Sequence, residues 1–255
     1  MRAIKLLIEY NGAVYQGWQS QKTGTTLQDV IQKAIESIIG EEIRLTGASR
    51  TDAGVHALGQ VAVFTAGSKL RPETIQRALN AKLPVDVRIL SAEDTVPEFH
   101  PRYAAIRKSY FYLISTSRVR SAFLHPYLWY VTADLDLDQM HTAAAFLRGR
   151  HDFSSFRAAG CGAKTTIRTV TSLDISRGSG INFMTAVIPG DFIKIRIEAD
   201  AFLRYMVRNI VGTLVDVGSG KISCKEFSRI LASCDRTTAG PTAPPQGLFL
   251  EHITY

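Results

Sequence analysis

Apolar positions mark out a repeated order of elements along the chain. Ala3-Ile4-Lys5-Leu6-Leu7-Ile8-Glu9-Tyr10 reads as a strand closed by the turn pair Asn11-Gly12. Leu27, Val30, Ile31, Ala34, Ile35, Ile38 and Ile39 then recur at helical spacing. Thr26 stands ready to cap that helix, with Asp29 three residues on, and Gly40 stops it. Two strands follow, about Ile43–Thr46 and Leu58–Thr65, joined by a loop of small and polar residues. Arg71-Pro72-Glu73 opens a second helix that runs to about Leu83, and Val85–Leu90 alternates as a strand. The order is β-α-β-β-α-β.

The second half repeats it. A strand is expected over about Ala105–Ser115, a helix over Leu137–Arg148, and strands over Ile167–Ser176 and Asp191–Glu198. Helices at Ala201–Val217 and Ser223–Ala232 precede a last strand, Gly247–Ile253. Two copies of a split β-α-β plan predict an α+β chain of two ferredoxin-like halves, residues 1–100 and 101–255, with a central cleft between them. Pro97, His100 and Pro101 mark the boundary, and no flexible linker is visible there. Such halves host many functions, so the plan alone says nothing of activity.

Composition narrows the class. Hydrophobic residues make up 45% of the 255, enough for a sizeable core and contrary to wholesale disorder. No apolar run approaches the roughly 18–20 residues that cross a bilayer. The first residues read as a strand with no cleavable leader ahead of it. Cys161, Cys224 and Cys234 are scattered and form no C-x-x-C, so neither a disulfide framework nor a zinc site is expected. A reduced, cytoplasmic setting is.

A net charge of +7 favours a polyanionic partner, and its placement says more than its size. Arg102, Arg107, Lys108, Arg118 and Arg120 fall between residues 102 and 133 with no acid among them. Arg148, Arg150, Arg157, Lys164 and Arg168 follow between 141 and 173 against Asp152 alone. Tyr103, Tyr110, Phe111, Tyr112, Phe123, Tyr127, Trp129, Phe153 and Phe156 are interleaved with these cations. Cations with aromatic faces suit a phosphate backbone and unstacked bases, although most of these rings also suit a core.

The loop between the second and third strands carries Ser49-Arg50-Thr51-Asp52-Ala53-Gly54-Val55-His56-Ala57. Arg50 and Asp52 project from small neighbours, and Gly54 permits a positive φ where the chain turns. An isolated R-x-D would be a solvated turn. This nonapeptide, however, resembles the catalytic signature [GS]-R-T-D-x-G-V-H-A of tRNA pseudouridine synthases of the TruA type. Other segments extend the likeness in the family's order. Tyr10-Asn11-Gly12 with Tyr15-Gln16-Gly17-Trp18-Gln19 resembles Y-D-G-x-x-Y-x-G-W-Q, with Asn11 in place of the usual Asp. Phe99-His100-Pro101-Arg102 and Arg107–Tyr112 resemble F-H-A-R and R-x-Y-x-Y, with Pro101 in place of Ala. His151–Phe156 corresponds to a further family segment, Asp200–Gly212 resembles D-x-F-L-x-x-M-V-R-N-I-V-G, and Ala243–Leu248 resembles A-P-P-x-G-L.

The resemblance implies an RNA-modifying isomerase with a pseudouridine-synthase-type mixed sheet. Its expected product is pseudouridine in the anticodon stem-loop of tRNA, just 3′ of the anticodon, made by a homodimer. Uridine is detached from its sugar, rotated and rejoined through C5, with nothing oxidised or hydrolysed, so no metal or other cofactor is expected. One carboxylate near the sugar–base junction is required, as nucleophile or base, and Asp52 takes that part by resemblance. Whether it attacks the base, C1′ or a sugar proton is open. Arg208 falls with Arg204 at one edge of an apolar helix face, which suits either a surface arginine or a partner for Asp52. Arg50 is implied in flipping or replacing the target base. Tyr110, by itself an ordinary sheet residue, is implied to stack on the extruded uracil and to take the C5 proton. Leu203 and Val207 are candidates to line the pocket, and Arg102, Arg107 and Lys108 to bind the substrate. His56 reads as structural, and His100 with Arg102 as a phosphate contact or a support of the cleft. The rival class is a non-catalytic tRNA-binding protein or chaperone of the same fold, which would have no use for Asp52. A carboxylate-pair glycosidase needs two acids, and between Glu42 and Glu73 only Asp52 is found.

Overall fold

The computed structural model describes residues 1–183 and 185–255. Two compact units emerge, one of Met1–Lys108 with Phe249–Tyr255, the other of Ser109–Leu248. Both combine a sheet with helices, so the chain is α+β.

In the first unit β1 (Arg2–Tyr10) lies antiparallel to both β3 (His56–Ala66) and β4 (Val87–Thr95). Alternation along β1 buries Ile4, Leu6, Ile8 and Tyr10. Lys5 reaches Glu93 at 2.5 Å, and Arg2 forks onto Asp94. The free edge of β3 takes β2 (Thr46–Gly47), antiparallel, and further along β10 (Leu248–Thr254), parallel at Phe249 and Leu250. The order β4-β1-β3-β2, with α1 (Leu27–Ile39) and α2 (Pro72–Lys82) as crossovers, is the split β-α-β plan. Thr26 caps α1 by accepting from the Asp29 amide, and Gly40 ends it at φ 75°. The last strand in the chain thus counts with the first unit from Phe249 onward.

One predicted strand is mostly absent. Ile43 and Leu45 are buried, but their backbone groups bind α1 side chains instead of a ladder. The amides of Ile43 and Leu45 donate to Glu36 Oε1 and Gln32 Oε1 at 3.2 and 3.3 Å, and Gln28 Nε2 donates to the Leu45 carbonyl at 2.8 Å. With those groups satisfied, pairing with β3 shrinks to Thr46 and Gly47.

In the second unit β9 (Ala186–Ala199) runs between β5 (Arg107–Ser115) and β8 (Ile167–Phe183), and β7 (Gly149–Asp152) lies outside β8. A two-residue β6 (Trp129–Tyr130) pairs parallel with Ile114 and Ser115. The β8–β9 hairpin extends well past the predicted ends, through Gly180↔Pro189 to Phe183↔Ala186. Its outer part holds Gly178, Gly180, Pro189 and Gly190, which read as turn residues, while Ile181, Phe183 and Ile188 pack on Leu124, Leu128 and Phe192. The helices are α3 (Leu137–Ala145), α4 (Met206–Gly218) and α5 (Cys224–Ser233). A capping box between Ser223 and Glu226 starts α5 where the sequence predicts. α4 starts at Met206 and not at Ala201, because Tyr205 turns left-handed at φ 64° and breaks the helical path. Among the described residues no helix is long and apolar enough to cross a membrane.

Candidate active site

The Asp52 loop joins β2 to β3, and backbone clamps hold it on both sides of the acid. Gln60, fully buried on β3, accepts from the Ser49 amide at 3.2 Å and donates to the Ser49 carbonyl at 2.8 Å. Thr51 Oγ1 lies 2.7 Å from the Tyr10 hydroxyl, and the Thr51 carbonyl accepts from the Trp18 amide at 3.1 Å. Buried donors and acceptors of this kind cost about 1–3 kcal/mol each when left unmatched, so the loop has few alternative paths. Gly17 makes the close approach possible. It sits at φ 90°, and a Cβ there would come within 2.7 Å of the Thr51 carbonyl oxygen and 3.1 Å of the Ala53 nitrogen.

Asp52 opens a tight turn, its carbonyl accepting from the Val55 amide at 3.2 Å. Gly54 takes the positive φ expected of it, 77°, and its amide donates to the Tyr15 carbonyl at 3.3 Å. Along the loop Ser49, Thr51 and Val55 are buried, Asp52 is half-buried and Arg50 is exposed. The carboxylate and the guanidinium therefore stand on an anchored backbone, two residues apart.

His56 begins β3 with 1% of its surface exposed. Its Nδ1 accepts from the Gly12 amide at 3.1 Å, which requires the tautomer protonated on Nε2, and the ring stacks on Phe249 at 4.7 Å. Gly12 belongs to the same loop as Tyr15 and Trp18, so His56 ties that loop to the base of the Asp52 turn. His56→Leu is expected to lower unfolding stability by about 1–3 kcal/mol through the stranded Gly12 amide. The rate of the folded protein should stay within roughly threefold, about 0.7 kcal/mol on the barrier. Denaturant titration alongside a kinetic assay checks this. Unchanged stability with a collapsed rate would instead mark His56 as a proton carrier.

The cations assigned to substrate binding differ in placement. Arg102 is exposed, 5.8 Å from the ring of Tyr103, which is itself 77% exposed. Arg107 is exposed on β5, whereas Lys108, the next residue, is 7% exposed, and its Nζ donates to the Ala48 carbonyl at 2.6 Å. Strand alternation turns the second cation inward, beneath the start of the Asp52 loop.

The second unit holds the remaining predicted site residues. Tyr110 on β5 is 5% exposed and meets Phe202 edge to face at 5.0 Å. Leu203 and Val207 are buried. Tyr112 is buried, and its hydroxyl donates to the Pro244 carbonyl at 2.7 Å. Burial pushes the Tyr112 phenol far above its ordinary value, against the lowering field of the Arg208 guanidinium. Arg208, in the first turn of α4, donates from Nε to the Ala243 carbonyl at 2.8 Å and accepts on its own carbonyl from the Ala243 amide at 3.1 Å. Its guanidinium lies 4.8 Å from the Tyr205 ring.

Several structural supports in these segments leave no mark in the sequence. Asn209, fully buried, donates to the Phe156 carbonyl at 2.8 Å and accepts from Thr242 and Arg236. Gly212 lies so close to the Pro241 carbonyl that no Cβ fits. Gln60, a polar residue inside an apolar strand pattern, was the one signal of this kind open to reading. Among the described residues no group of three or more His, Cys, Asp or Glu side chains is arranged to hold a metal ion.

Comparison with known proteins gives one answer along the chain. The profile of a family described as tRNA pseudouridine synthase matches residues 6–104 and 143–255. The tRNA pseudouridine synthase A of Thermoanaerobacter sp. (strain X514) is 47% identical over 255 residues, covering 100% of both chains. Those of Acetivibrio thermocellus and Geobacter sulfurreducens are 45% and 41% identical, again over 255 residues and 100% of both chains.

Proposed function

The chain belongs to the tRNA pseudouridine synthase family, and from that premise we propose how its residues divide the work of turning tRNA uridine into pseudouridine. The chain is an isomerase. Asp52 is its nucleophile or base. The observation that carries this assignment is the doubly clamped Thr51, which fixes the backbone on which the one acid of the loop stands. A reacting carboxylate gains from being held before substrate arrives, since orientation lost at the transition state raises the barrier.

Arg50, exposed beside it, takes part in extruding the target uridine or filling its place. Unstacking a base costs a few kcal/mol, and stacking on Tyr110 at about 1–3 kcal/mol per base offsets part of that. Leu203 and Val207 line the base pocket, and the Arg208 guanidinium keeps Asp52 ionised and oriented. Arg102 and Arg107 bind phosphates, and Lys108 supports substrate binding from beneath the loop. The first half of the chain thus brings the acid and the second most of the basic RNA-binding surface. The substrate uridines are those just 3′ of the anticodon. The enzyme works in the cytoplasm as a homodimer, with one tRNA touching both subunits.

Tyr110→Phe separates stacking from proton transfer. The ring, and with it the edge-to-face packing on Phe202, is retained, so tRNA affinity should stay within about twofold, or ~0.4 kcal/mol. If the hydroxyl takes the C5 proton, the single-turnover rate falls by roughly 10²-fold or more. A wild-type rate in this variant would leave Tyr110 as a stacking surface only.

The direct test of the reading is an assay of purified protein on unmodified tRNA transcripts, with modified positions mapped by sequencing. Pseudouridine just 3′ of the anticodon is the expected result. Tight binding without modification would restore the rival reading of a tRNA-binding chaperone.

A further inference from the structure

Tyr205 is one of two non-glycine residues at positive φ among the described residues, the other being Cys234. Its φ of 64° and ψ of 1° place a bulky side chain where glycine is the comfortable occupant. Much of the backbone around it is engaged. The Met206 amide donates to the Leu203 carbonyl at 3.1 Å, the Arg204 carbonyl accepts from the Ala158 amide at 2.9 Å, and the Tyr205 carbonyl accepts from the Asn209 amide at 2.9 Å. The side chain does not cap α4. Backbone geometry therefore gives no reason for a tyrosine here.

The ring supplies the reason. The guanidinium carbons of Arg204 and Arg208 lie 4.9 and 4.8 Å from its centroid, within the range of cation–π attraction. Arg208 is also fixed at Nε by the Ala243 carbonyl at 2.8 Å. A hydrogen bond in the guanidinium plane and an aromatic ring against the same group together restrict where that plane can lie. A long arginine side chain would otherwise sample many rotamers. Residues held in disfavoured backbone regions collect at functional sites, and this one adjoins an arginine assigned to the chemistry.

We infer that Tyr205 is a positioning residue, its ring holding the Arg208 guanidinium in one orientation as the uridine reacts. The inference rests on the catalytic assignment of Arg208 made above.

Glycine at 205 keeps the backbone path and deletes the ring. Tyr205→Gly is expected to fold with a Tm within a few degrees of wild type, because relief of the left-handed Cβ offsets part of the lost ring contacts. Its kcat on unmodified tRNA transcript should fall by about tenfold, the scale of a lost cation–π contact at a partly buried site, while KM changes by less than about threefold. Tyr205→Phe, which keeps the ring, should restore kcat. In an Arg208→Lys background Tyr205→Gly should cost almost nothing more, since the group it positions is gone. If Tyr205→Gly loses too much stability to assay, Tyr205→Leu gives the same comparison.

A wild-type kcat without the ring overturns the inference. So does a raised KM at unchanged kcat, which would make the ring an RNA contact, and so does a loss that multiplies undiminished on Arg208→Lys. Arg208→Lys alone behaving as wild type would overturn the assignment of Arg208 and this inference with it. That result is told apart because it is read in the single variant.

Discussion

Asp52→Asn is expected to abolish pseudouridine formation, by at least about 10⁴-fold in the single-turnover rate, or ~5.5 kcal/mol on the barrier. Asparagine keeps the size and the turn. The Asp52–Val55 hydrogen bond and the clamps on Ser49 and Thr51 run through backbone atoms or through neighbouring side chains, so the loop should keep its path. What is lost is a charged oxygen able to attack or to accept a proton. Affinity for tRNA should change by less than about tenfold, or 1.4 kcal/mol, because phosphate contacts by cations dominate binding. Filter binding and rapid-quench kinetics on one transcript read both quantities. A variant that bound tenfold more weakly yet still turned over at the wild-type rate would remove Asp52 from the chemistry.

Arg208→Lys should lower the same rate by about 10²-fold, or ~2.7 kcal/mol, with little change in stability. The charge survives, so a purely long-range role would be spared. The geometry does not survive. Arg208 meets the Ala243 carbonyl through Nε, and its terminal nitrogens lie beyond that point on the same rigid plane. Lysine has a single nitrogen, which cannot serve Ala243 and reach onward as well. Retention of the clip between the Arg208 carbonyl and the Ala243 amide, which is backbone only, should keep the start of α4 in place. A thermal melt checks that. Normal turnover by Arg208→Lys would dismiss the proposed service to Asp52.

Elements whose signals are local were legible in the sequence, and the departures have identifiable causes. Thr26 and Gly40 bound α1 where their chemistry requires, and Ser223 with Glu226 starts α5. The segment Ile43–Leu45 has the apolar pattern of a strand, yet its backbone is served by Gln28, Gln32 and Glu36 from a helix earlier in the chain. No local pattern reports such a substitution of partners. The start of α4 was hidden in a similar way. Phe202 and Leu203 keep the helical period, while the left-handed turn at Tyr205 is a backbone property without a sequence mark. The outer β8–β9 hairpin carries Gly178, Gly180, Pro189 and Gly190, which read as turn residues, and its Ile181, Phe183 and Ile188 meet Leu124, Leu128 and Phe192 only on folding.

The site divides along the same line. Asp52, Arg50, Tyr110 and Arg208, the residues proposed for the chemistry, stand in contiguous motifs. Their supports join residues 11 to 44 positions apart, as Gln60 does with Ser49 and His56 with Gly12, and only folding brings these together. Lys108 lies between the two cases. Grouped with Arg107 it reads as one more surface cation, but the period of two along β5 already implied that adjacent residues face opposite ways.

The proposed role of Asp52, set on its clamped loop, is to convert uridine to pseudouridine in tRNA. Its most direct measurement is a single-turnover reaction of wild-type protein and Asp52→Asn with an unmodified tRNA transcript, followed by mapping of pseudouridine. Near-stoichiometric pseudouridine just 3′ of the anticodon is expected with wild-type protein, and none with Asp52→Asn despite equal tRNA bound. Intact uridine in the wild-type complex, or equal product from both proteins, would contradict it.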